Sequence, residues 1–384
     1  VTIEIATGTA ESDPVPARPW QWDAATGLGP LPGADPAESA LMVAGELPEL
    51  PFLAELPDRG VGADAVGRAI GMLVDIYAEV VPSGWRITAG PGREVGRAKD
   101  FLAWDLDALE EHYAGAPQVK VQVCGPWTVA ARTELATGNR MITDQGAVRD
   151  LAESLAEGLS AHLDQVRRRL PGSRVILQVD EPALRDVIEG NLRTASGFGT
   201  VRAIGRQRAG ELLRTFTERF VDTVLIGTST PAHPQPGTST GPVTDLDALG
   251  LLREAGCSAV AVDFTTLGSR TSSLDFLGEG IESGLVLLAG TVPARESRAE
   301  EHRAQDRQQR RTGSVSGPTT AERARPITEP MAKLGFAPEV MARQIVVTPS
   351  GSLADVAPDR ARRVLTLCRD VARMLAEPMD DHRS

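Results

Sequence analysis

The stretch RVILQVDEPAL, Arg174 to Leu184, sets five apolar or neutral residues directly before two adjacent carboxylates and a proline. A buried run ending in Asp180 and Glu181 reads as a strand that delivers charge to its tip, and Pro182 would stop it and turn the chain away. Seven further runs of the same kind recur along the 384 residues. They are VTIEIAT (1 to 7), LMVAGEL (41 to 47), VKVQVCG (119 to 125), DTVLIGT (222 to 228), AVAVDFT (259 to 265), LVLLAGT (285 to 291) and QIVVTPS (344 to 350). Most are apolar on both faces, the pattern of parallel strands covered by helices. Between them lie amphipathic segments, clearest at 144 to 170, where Val148, Leu151, Leu155, Leu159, Leu163, Val166 and Leu170 step by three or four. Further helices are expected at 63 to 80, 97 to 113, 206 to 220, 245 to 255, 273 to 283, 319 to 334 and 358 to 377. Eight strand-then-helix units predict an α/β fold: one (β/α)8 TIM-type barrel over residues 1 to 384, with long insertions on its C-terminal face. A doubly wound open sheet is the alternative.

Three segments stand outside this scheme: 11 to 36, rich in Pro, Gly and Ala; 230 to 243; and the charged run within 292 to 318. Each follows a run read as a strand, so a barrel would place them as lids over its C-terminal face, or as solvated excursions. Composition narrows the function. The net charge of −12 argues against nucleic acid, which is bound through clustered Lys and Arg. No apolar run nears the roughly 20 residues that a spanning helix needs, so no membrane role is expected. The start of the chain carries an acidic residue and no basic n-region, which points to the cytoplasm. Cys124, Cys257 and Cys368 are far apart in apolar surroundings and read as buried thiols.

In a parallel barrel the chemistry sits just beyond the C-terminal strand ends. Those ends supply Thr7, Gly8 and Thr9; Cys124 with Gly125, Pro126, Trp127 and Thr128; Asp180 and Glu181; Gly227, Thr228 and Ser229; Asp263; and Thr348 to Ser352. Asp180 and Glu181 are the candidate catalytic pair, able to bind a substrate ammonium or to orient a neighbouring strand end through backbone N–H groups. The competing role for one of them is to cap the following helix. The turns at 227 to 230 and 350 to 352 are small and polar enough to present N–H groups to an anion. No nucleophilic triad can be assembled.

LQVDEPAL, together with VQVCGPWTVA and IVVTPSGSLADVAPDRA, resembles the C-terminal catalytic domain of cobalamin-independent methionine synthase and its short stand-alone relatives. That resemblance implies a (β/α)8 barrel that moves a methyl group to the thiol of homocysteine or a similar amino-acid thiol, in methionine biosynthesis. It implies Asp180 on the substrate amine, Thr7, Gly8 and Thr9 on its carboxylate, and Gly125 to Thr128 as a Gly-Pro-x-Thr substrate-binding motif. It also implies zinc, held by a His-x-Cys after strand five, an acidic residue after strand six and a Cys after strand eight. Here Gly227, Ser229 and Gly351 stand at the positions of His, Cys and Cys, and only Asp263 keeps an acid. Neutral hydroxyls bind zinc weakly. His233, four residues beyond Ser229, is the remaining nearby donor. The methyl donor is left open between a folate and a methylcorrinoid, the latter on a corrinoid or other methyl-donor protein. Two other readings stay in play: a non-catalytic amino-acid-binding barrel, and a metal-free enzyme of the uroporphyrinogen-decarboxylase type, which would place Arg at strand ends.

Overall fold

The computed structural model describes residues 24–90, 92–229, 245–267, 270–295 and 318–377. Two strands, β1 (Tyr77–Val81) and β2 (Gly84–Thr88), form an antiparallel hairpin, and β4 (Thr133–Glu134) joins its edge. The main sheet is parallel, in the order β3 (Gln118–Cys124), β5 (Arg174–Asp180), β6 (Val224–Thr228), β7 (Ala259–Asp263), β8 (Val286–Val292) and β9 (Ile345–Pro349). Twelve helices flank these strands among the described residues. They are α1 (Pro36–Glu46), α2 (Ala65–Met72), α3 (Arg93–His112), α4 (Pro126–Arg132), α5 (Gln145–Arg169), α6 (Leu184–Glu189), α7 (Arg206–Thr217), α8 (Leu246–Glu254), α9 (Thr271–Glu282), α10 (Thr320–Lys333), α11 (Pro338–Gln344) and α12 (Pro358–Ala376).

Two segments with little regular strand character join the ends of this six-stranded sheet. Residues 24–31 lie along β9, where Thr26 N–H donates to Val347 O at 3.0 Å and Val347 N–H to Ala24 O at 3.1 Å. The same segment meets residues 50–55, with Glu55 N–H on Gly29 O and Leu31 N–H on Glu55 O. Residues 50–55 meet β3 in turn, through Lys120 N–H to Pro51 O and Leu53 N–H to Lys120 O, both 2.9 Å. The hydrogen-bond ring is thus closed, as the TIM-type reading requires.

Inside and outside follow from the two-residue period of each strand. On β5, Val175, Leu177 and Val179 belong to the large core under the helices, whereas Ile176 belongs to a separate core with Ala24, Leu50, Ile226, Ala259, Ala261, Val286, Leu288 and Val346. This second core fills the lower barrel. Side chains higher on the same faces are polar, including Gln178, Asp180, Thr228, Asp263 and Thr348.

Several sequence expectations change. The run 41–47 is helical: it lies in α1, whose first turn is capped by Asp35 accepting from Ala37 N–H at 2.8 Å and whose Pro36 at the first position favours a helix start. Its stave is supplied by 50–55 instead. The run 1–7 lies outside the described residues, and the slot beside β9 is taken by 24–31, so the second half of the predicted 11–36 excursion is barrel wall and the start of α1. The helix expected at 63–80 stops at Met72, and its last residues enter the β1–β2 hairpin. The segment 230–243 and most of 292–318 lie outside the described residues. All three cysteines are buried, as expected.

Helix α5 crosses the end of α2 at Gly158, where a Cβ would stand 1.7 Å from the carbonyl oxygen of Met72. Backbone cannot yield there as a side chain would, so Gly158→Ala is expected to destabilise the fold by about 3 kcal/mol in a denaturant titration.

Candidate functional site

The polar upper layer is built by register. Gln122 pairs with Gln178 and Cys124 with Asp180 across β3 and β5, and Asp180 pairs with Thr228 on β6. Lys120 lies one layer down, opposite Ile176, and its ammonium reaches up to donate to Gln178 Oε1 at 2.7 Å. Gln178 Nε2 donates onward to Asp180 Oδ1 and to the Leu28 carbonyl, each at 2.8 Å. The ammonium also sits 5.4 Å from the centre of the Phe52 ring. Among the described residues no hydrogen bond falls on Asp180 Oδ2.

These groups perturb one another strongly. Burial raises the Asp180 carboxyl well above its ordinary range and Glu55 adds to this, while the Gln178 hydrogen bond and Lys120 pull back. Burial lowers Lys120 to about 8 against the attraction of Asp180 and Glu55. Burial likewise raises Glu55, opposed by Arg68, Gln122 and Lys120.

The two neighbouring acids part company because adjacent strand residues face opposite ways. Glu181 is fully buried and turns to the start of α4. Its carboxyl accepts from Trp127 N–H at 2.9 Å, Thr128 N–H at 2.7 Å and Thr128 Oγ1 at 2.6 Å. Thr128 Oγ1 also accepts from Ala183 N–H, and Gly125 N–H donates to Asp180 O at 2.8 Å. Gly125 has no room for a side chain, since a Cβ would lie 2.4 Å from Glu181 Oε1. The segment Gly125, Pro126, Trp127, Thr128, expected to bind substrate, is in the structure the clamp between β3 and β5. Trp127 leaves the interior altogether, its indole N–H donating to Ala209 O on α7 at 3.0 Å. There it floors an outer cavity of about 420 Å³ between α5 and α7, away from the barrel mouth.

The positions matched to zinc ligands are scattered in character. Gly227 faces outward, where a Cβ would stand 2.7 Å from Leu252 on α8, so the inward residue at that level is Thr228. Ser229 is half-buried, and a side chain at Gly351 would enter open space. Asp263 Oδ1 accepts from Thr265 N–H and Thr265 Oγ1 at 2.9 and 2.6 Å, and burial raises its carboxyl. Among the described residues no group of three or more His, Cys, Asp or Glu could hold a metal ion. Their oxygens and missing side chains do not fit the zinc that the resemblance implies. Thr7, Gly8, Thr9 and His233 lie outside the described residues.

Lys120, Gln122, Gln178 and Glu55 were not singled out from the sequence, although two of the signals were present. In VKVQVCG and RVILQVD, polar residues alternate with valines and leucine near the strand tip, and that alternation marks an inward polar row. Glu55 gave no such signal, because its stave, ELPFLAEL, is too irregular to read as a strand.

Residues 25–196 match the family model described as the catalytic domain of cobalamin-independent synthase. The matched range holds VQVCGPWTVA and LQVDEPAL, so the resemblance first seen in those motifs is borne out. Solved structures extend the likeness in fold to most of the chain. A B12-independent methionine synthase from Shewanella sp. W3-18-1, in complex with selenomethionine, is 11% identical over 92% of this chain and 98% of that one, with a TM-score of 0.56. The putative vitamin-B12-independent methionine synthase of Listeria monocytogenes is 11% identical over 92% and 99%, with a TM-score of 0.51. A methyltransferase from Methanosarcina mazei is 15% identical over 93% and 95%, with a TM-score of 0.50. No curated protein sequence matches the chain.

Burial pushes Glu181 up to about 7 while its three donors pull it down. A raised folded-state value adds stability below the unfolded value near 4.5 and loses it as the pH rises through about 7. Glu181→Gln turns an amide NH2 onto a backbone N–H of Trp127 or Thr128, an expected loss of about 2 kcal/mol at pH 5. The gap between the two proteins is expected to narrow from pH 5 to pH 8, read by chemical denaturation at each pH.

Proposed function

We propose that this chain is a methionine-synthase-like S-methyltransferase barrel of the cytoplasm. In this reading it takes homocysteine or a similarly small amino-acid thiol at its upper mouth, with the substrate ammonium on Asp180. The observation that carries it is the half-satisfied carboxyl of Asp180: Oδ1 is held by Gln178, and Oδ2 accepts nothing among the described residues. An ionised carboxylate so placed offers an ammonium a charge-assisted hydrogen bond in a low-dielectric site. The match of residues 25–196 to a synthase catalytic domain supports the reaction class.

The reaction would form a bond between the thiol sulfur and the methyl carbon and break the bond from that carbon to its carrier. The electron pair stays on the carrier, a folate or a methylcorrinoid held by a partner protein, and the thiol proton leaves to the freed nitrogen of a folate or to water. A free thiol of pKa about 8.5 is only a few per cent ionised near neutral pH, so most of the bound thiol must lose its proton before it can attack. The described residues do not provide a zinc cage for that task. A second reading, a barrel that binds the amino acid without turnover, draws on a different observation: glycines stand at 227 and 351, where the resemblance implies zinc ligands.

Asp180→Asn keeps the shape and removes the charge. It is expected to weaken homocysteine or methionine binding by about 10- to 100-fold in calorimetry, as loss of a charged hydrogen bond does. In the unaltered protein, affinity should fall as the pH is lowered, because the raised Asp180 carboxyl takes up a proton early. Unchanged affinity in the variant would remove Asp180 from the reading. Stoichiometric zinc uptake that tightens homocysteine binding would favour the transferase over the binder.

A further inference from the structure

We propose that Lys120 is a positioning residue that, through the amide of Gln178, holds the Asp180 carboxylate in place for a substrate ammonium. The inference rests on the amino-acid-binding reading of Asp180 given above and names the device behind it.

The geometry leaves one consistent arrangement. A lysine ammonium only donates, so the Gln178 amide must turn its oxygen to Lys120, at 2.7 Å. Its NH2 then meets two acceptors, Asp180 Oδ1 and Leu28 O. The reversed amide would set oxygen against both acceptors and nitrogen against the ammonium. Lys120 thereby determines which way Gln178 faces, and Gln178 determines where one oxygen of Asp180 rests. The relay climbs the barrel wall, from Lys120 in the layer of Ile176, to Gln178, to Asp180 at the tip of β5.

Lys120 is 0% exposed, so it acts through Gln178 and touches no substrate. Burying an ammonium at this depth carries a desolvation cost that an apolar side chain would not. The groups bearing on Asp180 make the choice intelligible. Glu55 from the second stave and Glu181 from its own strand oppose its ionisation, and the Cys124 thiol lies opposite it in register. Lys120 is the cation that favours it.

The test follows the Asp180 carboxyl itself, by carbon NMR of protein carrying 13C at the aspartate carboxyl, with its signal assigned by loss in Asp180→Asn. Lys120→Met, which keeps length and removes charge, is expected to raise the Asp180 titration midpoint by about one pH unit or more. Gln178→Met, which cuts the hydrogen bond and leaves the ammonium, is expected to raise it by less. Methionine or homocysteine affinity of Lys120→Met should fall about tenfold at a pH below both titration midpoints and recover as the pH rises above them, which a merely structural role would not produce. An unaltered midpoint in folded Lys120→Met overturns the proposal, and so does an unaltered midpoint in Gln178→Met if the first variant does not fold. An affinity loss equal at every pH with an unaltered midpoint also overturns it. If the midpoint moves but neither amino acid binds the unaltered protein, the hold of Lys120 on Asp180 stands and the amino-acid reading falls.

Discussion

A parallel barrel has no edge to spare, and the whole molecule depends on closing one hydrogen-bond ring. Closure falls to 24–31 and 50–55, two segments with little regular strand character. They succeed because only a few inter-strand bonds are needed on each side, and Val347, Glu55 and Lys120 supply both partners of each exchange. Close approach demands small residues at the seam. A Cβ on Gly27 would stand 2.3 Å from the Phe52 ring, and Gly29, at φ of 130°, lies against Gln122. The glycines that hide the first stave from a sequence reader are the ones that let it pack.

Once the ring is closed, alternation along the strands assigns every side chain to the interior or to the helix layer. The lower interior fills with Ile, Val, Leu and Ala and needs nothing more. The upper interior is polar, and each buried polar group there must find a partner or lose the hydrogen bonds water would have given it. Lys120, Gln178 and Asp180 answer that demand together. The same low dielectric that makes the layer costly also moves the ionisation of its members, which is how a filled barrel end becomes a candidate site.

The acidic pair shows the division of labour at its sharpest. Consecutive residues at a strand tip cannot share a direction. Asp180 faces the interior, while Glu181 faces the turn after β3 and holds α4 by three donors. Of the two roles offered for the pair, the supporting one falls to Glu181, which leaves Asp180 as the acid that faces the polar interior. Glu181 therefore serves the site by holding the wall against which Asp180 stands.

Sequence by itself determined the strand-and-helix alternation, six of the eight staves, the long helices such as α5, and the two motifs within the family match, because those signals are local and periodic. It also placed Asp180 and Asp263 at strand tips. Only the tertiary structure decided that 24–31 and 50–55 complete the wall, that 41–47 is helix, that Gly227 faces outward, and that Lys120 reaches Asp180 through Gln178 while Glu55 bears on it electrostatically. Those facts depend on contacts between residues far apart in the chain, where backbone pairing and burial override what any short segment prefers alone.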